Sequence, residues 1–194
     1  FYDIIIKKLF FKLFNWRLKL KYFSDGTYGF RSGSKLVHTY LVNRFNVPIG
    51  KKYSKLKISN KIKENKLLTK NYIIGLADTD FGFCLKKRYK EKHYYPVMCL
   101  TSKSKKFTKE IQEIIKKNNI NTTKLYMVKD EDKRAKKGYT IIYRFDINGH
   151  KNLKKWLNVF GFKNPKHLNT LKKYYEINSG GWTIRKNLLN SPVI

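Results

Sequence analysis

Two aspartates, Asp78 and Asp80, end an apolar stretch and are the side chains of this chain best suited to chemistry. The stretch reads YIIGLADTDFGF from Tyr72 to Phe83. Carboxylate oxygens are the ligands that Mg²⁺ prefers, and a divalent cation bound there could activate a water molecule that attacks a phosphodiester. The sequence therefore contains a candidate site for metal-dependent phosphodiester hydrolysis.

The apolar residues in front of the two acids predict a buried helix, because almost no polar face is left between Tyr72 and Ala77. Gly75 lies inside this helix, where glycine costs ~1 kcal/mol relative to alanine unless a second backbone must come close. We therefore expect the helix to pack against a partner helix. Its C-terminal end opposes carboxylates unless a partner compensates for the helix dipole. A solvated acidic turn after an ordinary buried helix is the alternative.

The stretch resembles the LAGLIDADG motif of homing endonucleases. Residues 75 to 80 align with the G-L-I-D-A-D part of that motif, Phe83 aligns with the aromatic residue that often follows, and Phe81 stands where the family usually has glycine. The segment GFKNPKHL, residues 161–168, is similar to archaeal-type, single-chain members. The resemblance implies a catalytic acid, a metal site for Mg²⁺ or another divalent cation, and a central two-helix interface. The residues implied are Asp80 as the acid, Asp80 and Thr79 at the metal, and Gly75 and Ala77 at the interface.

Composition favours a polyanionic partner. The chain has 194 residues and a net charge of +31, from 44 Lys and Arg against 13 Asp and Glu. Such a surplus would strain a compact fold unless a polyanion such as nucleic acid neutralised it. Cys84 and Cys99 are too few for a disulfide framework. No stretch approaches 18 apolar residues, so we expect no membrane span, no signal peptide and an intracellular, non-secreted protein.

Hydrophobic periodicity predicts an alternation of helices and paired strands on both sides of the motif. An amphipathic helix over the first fourteen residues is followed by an alternating strand from Trp16 to Tyr22 and a helix capped by Ser34. After the motif we expect a hairpin, a helix from near Ser104, two strands and further helices. The predicted ranges are 83–89 and 93–102 for the hairpin, 124–129 and 139–146 for the strands, and 153–160 and 165–175 for the last two helices.

The order of elements in residues 1–57 recurs in residues 107–167, which indicates an internal repeat. At an offset of 115 residues, Leu41 matches Trp156 and Phe45 matches Phe160. We therefore expect an α+β fold of αββαββα repeats with antiparallel, saddle-shaped sheets. Residues 1–60 would be a partial first repeat without its motif helix and first hairpin, and residues 61–194 a complete second repeat. Asp80 would then be half of a symmetric site, and the full-length protein a monomer with internal pseudo-symmetry.

Alternating basic strands would suit the major groove of duplex DNA. The side chains expected to face DNA are Arg17, Lys19, Lys21, Lys86, Arg88, Lys124, Tyr126, Tyr143 and Arg144. The resemblance also implies one basic residue in each connector near the reacting phosphate, for which Lys52 and Lys166 are the candidates, with Lys51 and Lys163 as alternatives. Exposed strands that are charged only to remain dissolved, or to block edge pairing, are the competing interpretation.

The resemblance implies site-specific, metal-dependent cleavage of both strands of double-stranded DNA, with an intron or an intein as the host element. The activity of a chain that begins at Phe1 without the first motif helix stays uncertain at this point. The alternative is a maturase-like protein that binds intron RNA or DNA with the same basic surface and does not cleave. A ribosomal or other structural protein is disfavoured, because the charge is interleaved with periodic elements.

Overall fold

The computed structural model describes residues 1–45, 47, 49–50, 56–89, 93–133 and 135–178. A π-helical segment, Tyr2–Ile6, leads into the first α-helix. The regular elements are α1 (Lys7–Phe14), β1 (Lys21–Tyr22), β2 (Tyr28–Gly29), α2 (Lys35–Phe45), α3 (Asn60–Glu64), α4 (Lys66–Asp80), β3 (Phe81–Lys86), β4 (Tyr95–Ser102), α5 (Lys105–Lys117), β5 (Tyr126–Glu131), β6 (Tyr139–Asn148), α6 (His150–Val159) and α7 (Pro165–Asn178).

The central feature is a four-stranded antiparallel sheet with strand order β3-β4-β6-β5. Helices pack against one face of this sheet, where Leu100 and Phe145 face each other across β4 and β6. The predicted α+β class with antiparallel sheets is confirmed, and the elements from α4 to α6 follow the expected order αββαββα. No helix in the described part of the chain is both long and apolar enough to cross a bilayer.

The N-terminal segment has the predicted order of helix, strand, strand and helix, but its strands are short. The predicted strand from Trp16 to Tyr22 is wrong in extent, because only Lys21 and Tyr22 pair with the neighbouring strand. Residues 16–20 alternate in burial without ladder hydrogen bonds, and Leu18 is the buried member. α1 ends at Asn15, whose φ of 49° lies in the left-handed region that asparagine tolerates.

The hydrophobic core lies between the sheet and the helices α4 to α7. Trp156 and Phe145 are fully buried, and Phe81 packs against both, with ring centroids 5.6 Å and 6.3 Å away. The segment before α3 joins this core through Ile58, which is 1% exposed. Its backbone N–H donates to the Glu110 carboxylate on α5 at 2.9 Å.

The helix α5 shows how local sequence determines an element. It begins next to Ser104, where the sequence predicts its start, and Ser104 caps it by accepting a hydrogen bond from the Phe107 N–H at 3.3 Å. Phe107, Ile111 and Ile115 then recur at intervals of four and face the core, where all three are buried. The hairpin β3–β4, the strands β5 and β6, and the helices α6 and α7 likewise fall within a few residues of their predicted ranges.

We expect Phe81→Ala to lower the free energy of unfolding by about 3–5 kcal/mol, the usual cost of removing a buried aromatic ring. Phe81 is 4% exposed, whereas Tyr89 is 83% exposed and its replacement by alanine is the matched control. Urea denaturation followed by tryptophan fluorescence measures both. Equal stability of the two variants would contradict the packing described for Phe81.

Candidate metal and nucleic-acid site

The helix α4 has one face in the core and one face open to solvent. Ile73, Ile74 and Ala77 are buried, whereas Gly75 is exposed and a Cβ added to it would meet no atom within 4 Å. The prediction of a helix buried all round is therefore wrong for this face within the described structure. Thr79, four residues after Gly75, lies on the same solvent-exposed side of α4.

Ala77 does not lie on the solvent-exposed side of α4. Two residues along a helix correspond to a rotation of about 200°, so Ala77 points away from the direction in which Gly75 faces. Its exposed fraction is 0%, and it forms part of the core cluster. The expected position of Ala77 at an interface shared with Gly75 is wrong, because the periodicity of the helix separates the two residues. Thr79, and not Ala77, lies on the side of α4 that Gly75 faces.

Asp78 is a structural residue that binds the start of the last helix. Its Oδ1 accepts hydrogen bonds from the backbone N–H groups of Lys163 at 3.0 Å and Asn164 at 2.9 Å. In return, the Asn164 side-chain amide donates to the Asp78 carbonyl oxygen at 2.6 Å. The carboxylate is 4% exposed. These donors supply the compensation that a carboxylate needs at the negative end of a helix dipole.

Asp80 is the last residue of α4, and its carboxylate is exposed. The Thr79 hydroxyl lies 2.7 Å from Asp80 Oδ2 and 3.0 Å from the Gly75 carbonyl oxygen. Among the described residues, Asp80 takes part in none of the ion pairs. The structure thus brings the two candidate metal ligands, Asp80 and Thr79, to one helix end and leaves the carboxylate accessible.

The turn from α4 into β3 needs no glycine at residue 81. Phe81 has φ −82° and ψ 138°, an extended conformation that any residue adopts. The strand therefore starts directly at the helix end, and the aromatic ring enters the core. The substitution of phenylalanine for the usual glycine of the motif is thereby accommodated without backbone strain.

Of the two candidate catalytic lysines, the structure describes only Lys166. Lys52 lies outside the described residues, as does Lys51. Lys166 lies in the first turn of α7 with an exposed side chain, and its backbone N–H donates to Asn164 Oδ1 at 2.9 Å. No hydrogen bond or ion pair joins its ammonium group to Asp80 within the part of the chain that the structure describes. Lys166 therefore shares the α4–α7 junction with Asp80 without touching it.

His167 is a buried member of the same junction that the sequence did not reveal. It is 2% exposed, and its Nε2 lies 3.1 Å from the Ala77 carbonyl oxygen. Its Nδ1 has no hydrogen-bond partner in the part of the chain that the structure describes. Burial lowers the pKa of the His167 imidazole, with Lys166 acting in the same direction and the Ala77 carbonyl and Asp78 opposing it. A histidine within a helix carries no sequence signal that distinguishes this position.

The sheet has a second face that the helices leave uncovered. We call it the open face. Side chains alternate along each strand, and the observed register brings one set from all four strands to this side. The open face carries Gly82, Cys84, Lys86, Tyr95, Val97, Cys99, Thr101, Tyr126, Val128, Asp130, Thr140, Ile142, Arg144, Asp146 and Asn148.

Several residues expected to face DNA lie on the open face or beside it. Lys86, Tyr126 and Arg144 are on it, Arg88 follows β3 with its guanidinium 4.5 Å from the Tyr95 ring, and Lys124 is exposed just before β5. Arg17, Lys19 and Lys21 are exposed in the N-terminal segment.

Tyr143 lies on the other side of the sheet. It pairs with Ser102 and alternates with Arg144, so it shares the side of the buried Phe145 and Ile147. The expectation that Tyr143 and Arg144 face the same side of the sheet is therefore wrong, because neighbouring strand residues point to opposite faces.

The open face also holds a carboxylate that the sequence did not single out. Asp146 Oδ1 accepts from the Arg144 guanidinium at 2.9 Å and 2.8 Å, and Asp146 Oδ2 accepts from the Tyr126 hydroxyl at 2.7 Å. The i, i+2 spacing of Arg144 and Asp146 was the available signal, because it places both side chains on one side of a strand.

Comparison with known proteins gives no family: no protein-family model matches this chain, and no curated protein matches it. The capacity of the candidate site to bind a metal ion therefore depends on the oxygen donors that its own residues supply. Among the described residues, no three His, Cys, Asp or Glu side chains come together at a metal-binding distance. Asp80 and Thr79 supply two oxygen donors at an exposed helix end. This set suits Mg²⁺, which keeps several waters and commonly binds through one or two carboxylates together with substrate phosphates.

The two aspartates should differ sharply in their contribution to stability. We expect Asp78→Ala to lower the free energy of unfolding by about 2–4 kcal/mol, because it leaves two backbone N–H groups without an acceptor in a buried site. Asp80→Ala should change it by no more than about 0.5 kcal/mol, as is usual for an exposed position. Urea denaturation of the two variants measures this difference. A destabilised Asp80→Ala would show that Asp80 has a structural role.

Acidification should weaken the α4–α7 junction through His167. The folded-state pKa of His167 is below its ordinary value of 6.5, so the stability from its neutral, buried form is fully present above about pH 6.5. That stability is lost as the pH falls toward the folded-state pKa. His167→Gln keeps an N–H donor for the Ala77 carbonyl and does not titrate. Its stability should therefore fall less than that of the unaltered chain between pH 7.5 and 5, measured by urea denaturation. His150, whose pKa is also lowered by burial, remains in both proteins. Identical pH profiles would refute this assignment.

Proposed function

We propose that this chain is a site-specific DNA-binding protein of the LAGLIDADG homing-endonuclease type, which hydrolyses phosphodiesters of double-stranded DNA with a divalent cation such as Mg²⁺. One observation carries the proposal. Of the two acids that end α4, Asp78 is fully engaged in holding α7, and Asp80 is left exposed beside an open helix face.

The solvent-exposed side of α4 suits a second helix of the same kind. Leu68, Gly75 and Thr79 lie within about 40° of one another around the helix axis, and Leu68 is 42% exposed. Small residues such as Gly75 and Thr79 allow a second backbone to come close. A partner helix on this face, from another part of the protein or from another molecule, would bring its own terminal acid near Asp80. Asp80 is then one half of a symmetric site.

In this function, the Asp80 carboxylate and the Thr79 hydroxyl hold the cation, and Asp78 keeps the helix end in place. The bound cation supplies charge relief on the phosphate and lowers the pKa of an attacking water. Lys166, at the first turn of α7, and Lys52 are the cations of this chain proposed to assist at the phosphate. The Thr79 hydroxyl, already 2.7 Å from Asp80 Oδ2, fixes the orientation of that carboxylate.

Duplex DNA is the proposed partner because of the charge and shape of the open sheet face. A two-stranded antiparallel ribbon fits the major groove, and the face carries Lys86 and Arg144 with Arg88 and Lys124 at its margins. With a net charge of +31, each neutralised phosphate should release condensed counterion and make binding strongly dependent on salt.

A second candidate is a maturase-like protein that binds intron RNA without cleavage. It is favoured by the aromatic group at one end of the sheet, where Tyr94 stacks on His150 at 6.0 Å and Arg88 lies over Tyr95. Unstacked RNA bases are commonly held on such aromatic and guanidinium surfaces.

The deciding experiment exposes a randomised duplex library to the full chain with Mg²⁺ and sequences the broken ends. When a partner helix with its own terminal acid covers the exposed side of α4, we expect cleavage at a recurrent site that chelation of the metal stops. Asp80→Asn should abolish cleavage and leave duplex affinity unchanged, since it removes a metal ligand and none of the basic side chains of the open sheet face. Glu113→Gln, which neutralises an exposed acid on α5, is the control and should cleave normally.

The outcomes separate the two candidates. Cleavage that survived Asp80→Asn would refute the assignment of the acid. Duplex binding without cleavage, together with tighter binding to a structured RNA, would favour the maturase-like function. For DNA binding, the logarithm of affinity against the logarithm of salt concentration should have a slope of roughly −0.9 per phosphate contact.

A further inference from the structure

Arg144 is held in one orientation by its neighbours on the open face. Its Nε donates to Asp146 Oδ1 at 2.9 Å, and its Nη2 lies 2.8 Å from the same oxygen. Two donors on one acceptor fix both the position and the plane of the guanidinium group. An arginine without these hydrogen bonds would sample many side-chain conformations. A lysine could not replace it, because an ammonium group is a point charge without a plane of donors.

Asp146 is itself fixed from three directions. The Tyr126 hydroxyl donates to its Oδ2 at 2.7 Å. Its backbone N–H donates to Thr123 Oγ1 at 2.9 Å, and its carbonyl oxygen accepts from the Thr123 N–H at 2.8 Å. The carboxylate is 14% exposed, so it is largely shielded from solvent. Arg144, Asp146 and Tyr126 therefore form a rigid group across β5 and β6.

A carboxylate here is unexpected if the face serves only to attract phosphates. The chain has 44 cations and 13 acids, yet one of those acids lies beside an arginine on the open face. It weakens the local attraction for a polyanion. Orientation of Arg144 is the advantage that offsets this repulsion. Only seven of the 44 cations are arginines, which alone present two parallel donors.

The guanidinium group keeps donors for a ligand. An arginine has five N–H donors, and Asp146 accepts from Nε and from one N–H of Nη2. Both N–H donors of Nη1 and one of Nη2 have no partner among the described residues. The side chain is 27% exposed. Two adjacent nitrogens with free donors match two adjacent acceptors on a ligand.

We propose that Arg144, oriented by Asp146 and Tyr126, reads the O6 and N7 acceptors of a guanine in the major groove of duplex DNA, so that one G·C pair is specified within the binding site. This inference rests on the proposed DNA-binding function. Guanine is the base with two acceptors side by side on its major-groove edge, and arginine recognises it through two parallel hydrogen bonds. Asp146 and Tyr126 are positioning residues and do not touch the base.

The protonation states support this arrangement. Burial and the hydrogen bond to Asp146 raise the pKa of the Tyr126 phenol to about 12, so Tyr126 remains a donor at neutral pH. Burial, the largest single influence, lowers the pKa of the Arg144 guanidinium, but the hydrogen bond to Asp146 and the nearby Cys99, Asp146 and Tyr126 together outweigh it, so the pKa is raised. Arg144 therefore stays charged and Tyr126 stays a donor at neutral pH.

The test selects bound sequences from a randomised duplex library with the full chain and with Arg144→Lys, Asp146→Asn and Tyr126→Phe. The unaltered chain should yield a recurrent site with one fixed G·C pair. Competition with a site changed to A·T at that pair should cost about 5- to 150-fold in affinity, the usual discrimination of a bidentate contact. Arg144→Lys should remove this preference and leave the other positions unchanged. Asp146→Asn and Tyr126→Phe should weaken it by smaller factors.

Lys86→Ala is the matched control on the same face. As a point charge, Lys86 should contribute equally to every sequence, so its removal should lower all affinities together and flatten the salt dependence by about one contact. Thermal unfolding of each variant checks that the sheet is intact. Tyr126→Phe, which removes one hydroxyl, keeps the test informative if Asp146→Asn fails to fold.

The outcomes distinguish this inference from the function on which it rests. If no sequence is enriched by the unaltered chain, the proposed site-specific DNA binding fails, and the inference fails with it. If a site is enriched and Arg144→Lys leaves every preference unchanged, the reading of guanine is overturned and the DNA-binding function stands. A uniform loss of affinity in Arg144→Lys would identify a phosphate contact and would also overturn it.

Discussion

The contact between Asp78 and the backbone before α7 determines the geometry of the C-terminal half of this protein. It joins the negative end of one helix dipole to the N–H groups at the start of another, so each helix end satisfies the other. His167, seated against the Ala77 carbonyl, closes the same junction. The position of Asp80 follows from this buried contact two residues earlier, because within the described residues Asp80 has only the Thr79 hydroxyl as a hydrogen-bond partner.

The same arrangement recurs on the sheet. Asp146 satisfies local donors, as Asp78 does, and thereby orients a functional side chain two residues away, in this instance Arg144. In both places a shielded carboxylate supplies rigidity, and a more accessible neighbour, Asp80 or Arg144, carries the group proposed to meet a ligand. The proposed metal site and the proposed base contact therefore depend on acids that are not expected to touch DNA. This matters in a chain with only 13 acids, where each one placed near a polyanion weakens binding.

Local signals predicted most of the fold. The apolar stripe through Ile111 indicated α5 with a start near Ser104, and Lys86 and Arg144, both expected to face DNA, do lie on one face of the sheet. The strand beginning at Trp16 was overextended, because alternation indicates which side is buried but does not supply a pairing strand. The different roles of Asp78 and Asp80 could not be read from spacing, since the partners of Asp78 lie 85 and 86 residues away. The resemblance grouped Ala77 with Gly75, but helical periodicity directs Ala77 into the core.

The exposed Gly75 means that this helix is not optimised for the chain as an isolated body. Its neighbours leave ample room for a methyl group, and glycine in the interior of a helix sacrifices about 1 kcal/mol of intrinsic propensity. Alanine would fit and would strengthen the helix. The proposed partner helix would give glycine a use at this point, because the missing side chain lets a second backbone come close along that strip.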